Sequence, residues 1–265
     1  MTRVAWLTDI HLNFLRPVQL EKFYQQIKDT EPDYVLISGD ITEAPRLQYT
    51  FQQFEARLPY PVYFVLGNHD FYGASIADVH SLVHELTCDS QTLHWLNESG
   101  IVELAPNVGL IGHDGWSDGR YGNYQSSKVM LNDYLAIRDF VGMTKTQRLE
   151  LLNQLGDIAA DYVDYWLPIA LARYDRVFFM THVPPFQEAC WHEGQIFDND
   201  WLPHFASKAV GDVLLKVMRD YPKKKLTVLC GHTHGRGEVH MLDNLLVMAG
   251  GAEYSHPEVQ RVFEF

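Results

Sequence analysis

The chain has little of three things: cysteine, basic charge and long apolar runs. Its three cysteines, Cys88, Cys190 and Cys230, form neither a disulfide framework nor a C-x-x-C zinc motif, so they read as reduced thiols. No apolar stretch approaches the roughly 20 residues needed to span a bilayer, and the first residues run directly into a strand-like segment. Both shortages lead to the expectation of a soluble, cytoplasmic protein. Lysine and arginine number 21 against 34 aspartates and glutamates, a formal net charge of −13. That balance repels polyanions over most of the surface, so nucleic acid is not an expected partner. The only basic run, Lys223-Lys224-Lys225, reads as the lead into a strand beginning at Leu226. Repeats, low-complexity tracts and Pro/Gly/Ser-rich linkers are lacking too. The expectation is therefore one domain over 1–265, with a helical insertion near 127–174.

What the chain does have is polar punctuation after apolar runs. Val4 to Leu7, Tyr34 to Ile37, Val62 to Leu66, Val177 to Met180 and Leu226 to Leu229 are short, continuous and β-rich, as strands buried on both faces are. Directly after them stand Asp9 and His11, then Asp40, Asn68, His182, and His232 with His234. Side chains so far apart converge only if the fold gathers the same ends of several strands, which is where open α/β sheets place their ligands. Gly39, Gly67 and Gly231 precede three of these clusters and suit sharp loops.

Helical stripes lie between the runs: Leu20, Phe23, Tyr24 and Ile27 behind Pro17; Leu47, Phe51, Phe54 and Leu58; Ile76, Val79, Val83 and Leu86 behind Ser75 and Asp78. Such alternation predicts parallel strands joined by helical crossovers. The middle is less regular. Thr92 to Leu96, Ile101 to Leu104 and Val108 to Ile111 suit a meander, followed by helix over about Val129 to Phe140 and Thr144 to Tyr174, with Pro168 breaking or kinking the second. A helix through Val210, Val213, Leu214 and Val217 and closing strands at Leu245 to Ala249 and Val259 to Phe265 complete the reading.

Two aspartates, one asparagine and four histidines suit two first-row ions, divalent or trivalent (manganese, iron or zinc), better than magnesium alone. Two ions about 4 Å apart need a bridging group, and Asp40, alone in its cluster, is the natural one. The blocks Asp9-Ile10-His11, Gly39-Asp40-Ile41-Thr42-Glu43, Gly67-Asn68-His69-Asp70, Thr181-His182 and Gly231-His232-Thr233-His234 together resemble the calcineurin-like metallophosphoesterase superfamily, in order across residues 9 to 234. The resemblance implies an α/β fold, a four-layer α/β/β/α sandwich, and hydrolysis of a phosphate ester by a metal-activated water. It also implies Asp9, His11 and His234 around one ion and Asn68, His182 and His232 around the other. His69 would lie over the substrate, donating a proton to the leaving oxygen or a hydrogen bond to the phosphate. Its carboxylate partner would be Glu43, with Asp70 as the alternative.

His11 stands where some members carry Asn, and no tyrosine adjoins Asp40, so the tyrosinate-iron site of purple acid phosphatases is not expected. The set is similar to the cyclic-nucleotide phosphodiesterase and nucleotide-sugar hydrolase branches. Two segments remain as candidate walls or lids. The first, 112 to 121, offers Trp116 and Arg120 for substrate binding, Arg120 as a bidentate phosphate ligand. The second, 186 to 205, offers Trp191, His192, Phe197, Trp201 and His204 for stacking on a nucleobase or covering an acyl or sugar group. The leading expectation is hydrolysis of a small phosphorylated metabolite, a diester or pyrophosphate. A phosphomonoesterase, a nuclease and a non-catalytic interaction module are the alternatives.

Overall fold

In the computed structural model, which describes residues 1–265, all five ligand-bearing runs become parallel strands. The first sheet places β1 (Arg3–Leu7), β2 (Tyr34–Ser38), β3 (Val62–Val65) and β4 (Leu93–Trp95) side by side in parallel, with β13 (Arg261–Glu264) antiparallel against β1. In the second, β6 (Val108–Gly112), β7 (Arg176–Met180), β10 (Lys225–Cys230) and β12 (Leu245–Ala249) are parallel, flanked by antiparallel β5 (Val102–Ala105) and β11 (Gly237–Leu242). A separate hairpin pairs β8 (Trp191–His192) with β9 (Gln195–Ile196).

Strand side chains alternate between faces, and this explains the layering. Val4, Trp6, Leu36 and Val65 of the first sheet meet Leu110, Phe178, Met180 and Leu229 of the second in a core between the sheets. Leu7, Val35, Ile37 and Phe64 point the other way, onto Phe23, Ile27, Phe51, Phe54 and Val83 of α1 (Pro17–Asp29), α2 (Leu47–Arg57) and α3 (Ile76–Thr87). Phe179, Val228 and Val247 face α6 (Lys145–Arg173) and α7 (Lys208–Asp220) through Val163, Leu167 and Leu214. The result is the expected α/β/β/α sandwich. Local signals behave as read: Pro17 opens α1, and Ser75 Oγ accepts from the Asp78 N–H at 3.1 Å. No helix is long and apolar enough to cross a membrane.

Three expectations need correction. The meander does not form, because β4 joins β3 in the first sheet while β5 and β6 pair at the edge of the second; a turn of helix, α4 (Leu96–Ser99), and Gly100 at φ +63° carry the chain across. Helix over Val129 to Phe140 shrinks to one turn, α5 (Asp133–Ala136), whose neighbours Ile137 and Phe140 are buried in irregular backbone. Pro168 does not break α6, a continuous helix of 29 residues. An interior proline costs about 3 kcal/mol, whereas burying each of Val163, Leu167 and Leu171 returns about 1.5–3 kcal/mol. Packing therefore outweighs the lost hydrogen bond.

Candidate metal centre

Five loops meet because the C-terminal ends of β1, β2, β3, β7 and β10 share one edge of the sandwich. Backbone bonds lace them together: Asp9 N–H to Gly39 O at 3.0 Å, His11 N–H to Asp40 O at 2.9 Å, and Gly231 N–H to His182 O at 2.9 Å. Carboxylates add more. Asp9 accepts from the His232 N–H at 3.0 Å, and Asp40 Oδ1 from the His69 N–H at 2.9 Å.

The candidate donors then converge as the spacing required. Ligand atoms of Asp9, His11, Asp40 and His234 all lie within 4.8 Å of one another. His11 Nε2 is 3.2 Å from His234 Nε2 and 3.6 Å from Asp40 Oδ2. On the other side of the same carboxylate, His182 Nε2 is 3.4 Å from Asp40 Oδ1 and 3.0 Å from Asn68 Oδ1. The two oxygens of Asp40 thus face two donor groups, the arrangement a bridging residue needs.

Backbone carbonyls prepare two of the imidazoles. His182 Nδ1 donates to Ser38 O at 2.9 Å, leaving Nε2 as the lone-pair nitrogen toward Asp40 and Asn68. His232 Nε2 donates to His204 O at 3.2 Å, leaving Nδ1 free. Metal-binding histidines are oriented in this way. Burial, partly opposed by the charge on Asp9, lowers His11 to about 2, and burial lowers His232 to about 3, so both rings stay neutral, the ligating form. The carboxylates split. Burial raises Asp9, but the hydrogen bond from His234 and the surrounding imidazoles outweigh it and hold Asp9 below the usual range. Burial and the charges on Asp9 and Asp70 push Asp40 well above that range. A buried cluster of this composition fits cations.

His69 lies over the donors, its ring 4.6 Å from that of His11, and burial lowers it to about 4. Neither expected carboxylate holds it. Glu43 accepts from Asn13 Nδ2 at 3.2 Å. Asp70 is committed to the backbone N–H groups of Ile41 (3.0 Å), Thr42 (2.8 Å) and Gly67 (2.8 Å), bracing the β2 and β3 loops. The carboxylate near His69 is Asp40, 4.0 Å from Nε2.

The loop at 112 to 121 is not a wall of the site. Trp116 is buried between Phe71 and Phe140, ring centroids 5.4 and 5.8 Å away. Arg120 is tied to Asp118 at 3.1 Å and Asp157 at 2.7 Å, outside the cavity. Tertiary packing and local ion pairs use both residues.

The segment 186 to 205 does contribute: His192, Phe197, Trp201 and Phe205 line a cavity of about 710 Å³ that opens over the donors. Trp191 and His204 of the same segment stay out of the cavity: Trp191 packs on the second sheet's outer core, and His204 is buried against Tyr134, its Nδ1 2.5 Å from the phenol oxygen. Among the cavity residues not anticipated, three contact the donors or His69. Asp133 Oδ1 accepts from Asn68 Nδ2 at 2.8 Å and from Tyr72 OH at 2.6 Å, turning the Asn68 carbonyl toward His182. Tyr72 stacks on His69, ring centroids 4.3 Å apart at 26°. Tyr254, in the loop after β12, sits 4.7 Å from the His11 ring and 5.2 Å from that of His234.

A family model described as calcineurin-like phosphoesterase matches residues 2–236. A zebrafish (Danio rerio) protein described as a transmembrane protein with metallophosphoesterase domain is 32% identical over 120 residues, 38% of this chain and 27% of that protein. The chain therefore spans only a minor part of that relative's length. Among solved structures, phosphopantetheinyl hydrolase from Mycobacterium tuberculosis superposes with a TM-score of 0.64 at 12% identity, covering 96% of this chain and 90% of that one. A dimetal phosphatase from Danio rerio follows with a TM-score of 0.57 at 15% identity, covering 97% and 89%. Both likenesses are of fold.

Proposed function

This chain belongs to the calcineurin-like phosphoesterase family, and from that premise we propose that it is a metal-dependent phosphoric ester hydrolase that cleaves small diesters or pyrophosphates. The observation that carries the proposal is the cavity of about 710 Å³ running from the donor cluster along His192 to Phe205, room for a substituent on each side of a phosphorus.

Asp9, His11 and His234 would hold one ion, Asn68, His182 and His232 the other, and Asp40 both. Manganese, iron and zinc suit this mixed imidazole and carboxylate set. When bound, such ions supply a water of lowered pKa and Lewis-acid stabilisation of phosphoryl charge. The rest falls to the chain's own groups. His69, kept neutral by burial, presents an N–H to a phosphate or leaving oxygen, and its stacking on Tyr72 fixes the ring plane. Asp133 holds the Asn68 amide so that its oxygen, not its nitrogen, faces the ion side. The test compares bis-p-nitrophenyl phosphate with p-nitrophenyl phosphate using the manganese-loaded protein, with Asp40→Ala as the blank. Diester preference that vanishes in the blank supports the proposal; a strong monoester preference overturns it.

A further inference from the structure

We infer that the wall formed by residues 192–205 is a subsite for the second substituent of the substrate. It takes a planar apolar group, neutral or cationic, and disfavours a second phosphate. The inference rests on the diester or pyrophosphate reading above and decides between its two halves.

A ladder of rings leads outward from the donor cluster. The His232 ring lies 4.6 Å from Phe205, and Phe205 lies 4.4 Å from Phe197. Phe197 then stacks nearly parallel with His192 (4.8 Å, 15°) and with Trp201 (5.8 Å, 19°). Core packing accounts for part of the ladder, since Phe197 and Phe205 lean on Cys190, Leu202 and Ala206, but not for its outer rings: Trp201 keeps 41% of its surface exposed, His192 is exposed, and both line the cavity. Exposed π faces continuous with a reaction centre suit a flat ligand.

Charge sharpens the assignment. No lysine or arginine lines the cavity, whereas Glu193 and Asp198 stand on the same wall as the ladder and Asp133 lines the cavity as well. A phosphate held by the ions is compensated there, but a second phosphate along the ladder would meet carboxylates and no cation. An apolar group meets only rings, and a cationic one gains from both rings and carboxylates.

The wall is also set in place before ligand arrives. The β8–β9 hairpin turns at Glu193 (φ +48°) and Gly194 (φ +77°). It closes directly on the loop after His234, where a Cβ on Gly235 would lie 2.0 Å from the Trp191 carbonyl oxygen.

The experiment uses the manganese-loaded chain with bis-p-nitrophenyl phosphate, methyl p-nitrophenyl phosphate, p-nitrophenyl phosphate and inorganic pyrophosphate. The leaving group is shared by the two diesters, so their kcat/KM ratio reports the second substituent. We expect the aryl diester to lead by about tenfold or more, and Trp201→Ala to shrink that ratio mainly through KM. Pyrophosphate should be the poorest substrate, and Glu193→Gln with Asp198→Asn should raise it relative to the aryl diester. A binding readout needs no turnover: 4-nitrobenzyl alcohol, a neutral planar quencher, should quench tryptophan emission in the wild type and not in Trp201→Phe. Equal turnover of the two diesters, efficient pyrophosphate cleavage, or a quench that survives Trp201→Phe overturns the subsite. Preference for p-nitrophenyl phosphate over both diesters overturns instead the diester reading on which it rests.

Discussion

Gly67→Ala adds one methyl group, and the structure specifies where it lands. A Cβ at this position would lie 2.2 Å from Asp40 Oδ1, 2.4 Å from Asp40 N and 2.7 Å from His182 Cε1. The backbone there is at φ −107°, ψ 176°, extended and open to any residue, so torsional strain is not at issue. Space is. The Asp40 oxygen lies about 1.2 Å short of ordinary contact, and neither it nor His182 is the free end of a flexible chain: both are buried and hydrogen-bonded to neighbouring loops. Overpacking of this kind costs about 1–3 kcal/mol, or roughly 2–12 °C in Tm at about 2–4 °C per kcal/mol for a chain of this size. The larger effect falls on activity, since displacing a reactive group by about 1 Å can cost about 100-fold in rate. Calorimetry, metal content and kcat/KM for bis-p-nitrophenyl phosphate measure all three. Gly142→Ala is the control: its φ of +78° strains an alanine, but nothing lies within 4 Å of the added Cβ. It should lose about 1 kcal/mol of stability and no activity. Metal content and turnover at wild-type levels in Gly67→Ala would refute the idea that the two donor groups meet at Asp40 in a space this tight.

The surroundings of the site carry four further predictions. Trp116→Ala should destabilise by about 3–5 kcal/mol through the cavity it leaves beside Phe71 and Phe140, while Arg120→Ala should keep KM for the diester within about twofold; a large KM rise in Arg120→Ala would restore it as a phosphate ligand. Asp133→Leu should free the Asn68 amide to rotate, costing about 10–100-fold in metal affinity, and Asp133→Asn, which keeps an acceptor oxygen, should rescue most of it; equal loss in both would point to charge rather than orientation. Asp114 accepts from Leu66 N–H (2.7 Å), Trp95 Nε1 (2.9 Å) and Asn97 Nδ2 (3.0 Å), with His80 Nε2 3.2 Å away. Burial raises its carboxyl, but the His80 hydrogen bond and charge, with His113 and Leu66, outweigh that and hold it low. A depressed carboxyl stabilises the fold above its ordinary pKa and loses that contribution as pH falls through the folded value. The Tm gap between wild type and Asp114→Asn should therefore narrow below about pH 4, and a gap constant from neutral pH to acid would remove Asp114 from this role.

The donor cluster was legible because each member follows a short, largely apolar run by a few residues, and parallel strands deliver such positions to one edge whatever the helices between them do. Tyr254 was within reach by the same logic: Leu245 to Ala249 already read as a strand, and a Gly-Gly pair follows it as glycines precede the other loops. Asp133 and Tyr72 carry no such signal. Asp133 reaches Asn68 from a stretch where α5 is only four residues long, so no periodicity marks it, and the contact exists only once the first sheet has its helical cover. The misplacement of Trp116 and Arg120 has a different origin. Following a strand end brings a loop to the right edge, but not its side chains to the right face. Trp116 turned inward because a large apolar surface gains more from burial beside two phenylalanines than from lining a polar site, and Arg120 found Asp118 and Asp157 within its own neighbourhood.

Backbone conformation links the legible part of the site to its chemistry. Of nine non-glycine residues at positive φ, five are candidate donors: Asp9, His11, Asp40, His232 and His234. Left-handed backbone costs about 1–2 kcal/mol per residue, and such strain persists only where the surroundings over-determine it. Here the surroundings are visible as bonds. Asp9, His11 and Gly231 each donate a backbone N–H to the neighbouring loop, and Asp9 and Asp40 receive one in return. The left-handed residues fall after β1, β2 and β10, where the chain reverses sharply; Asn68 and His182, after β3 and β7, reach the cluster without positive φ. Because the loops hold one another in this state, the donor geometry is a property of the fold and not of any single loop. That is why one methyl group at Gly67, which belongs to none of the strained residues and donates nothing to the cluster, can be expected to disturb both halves of it.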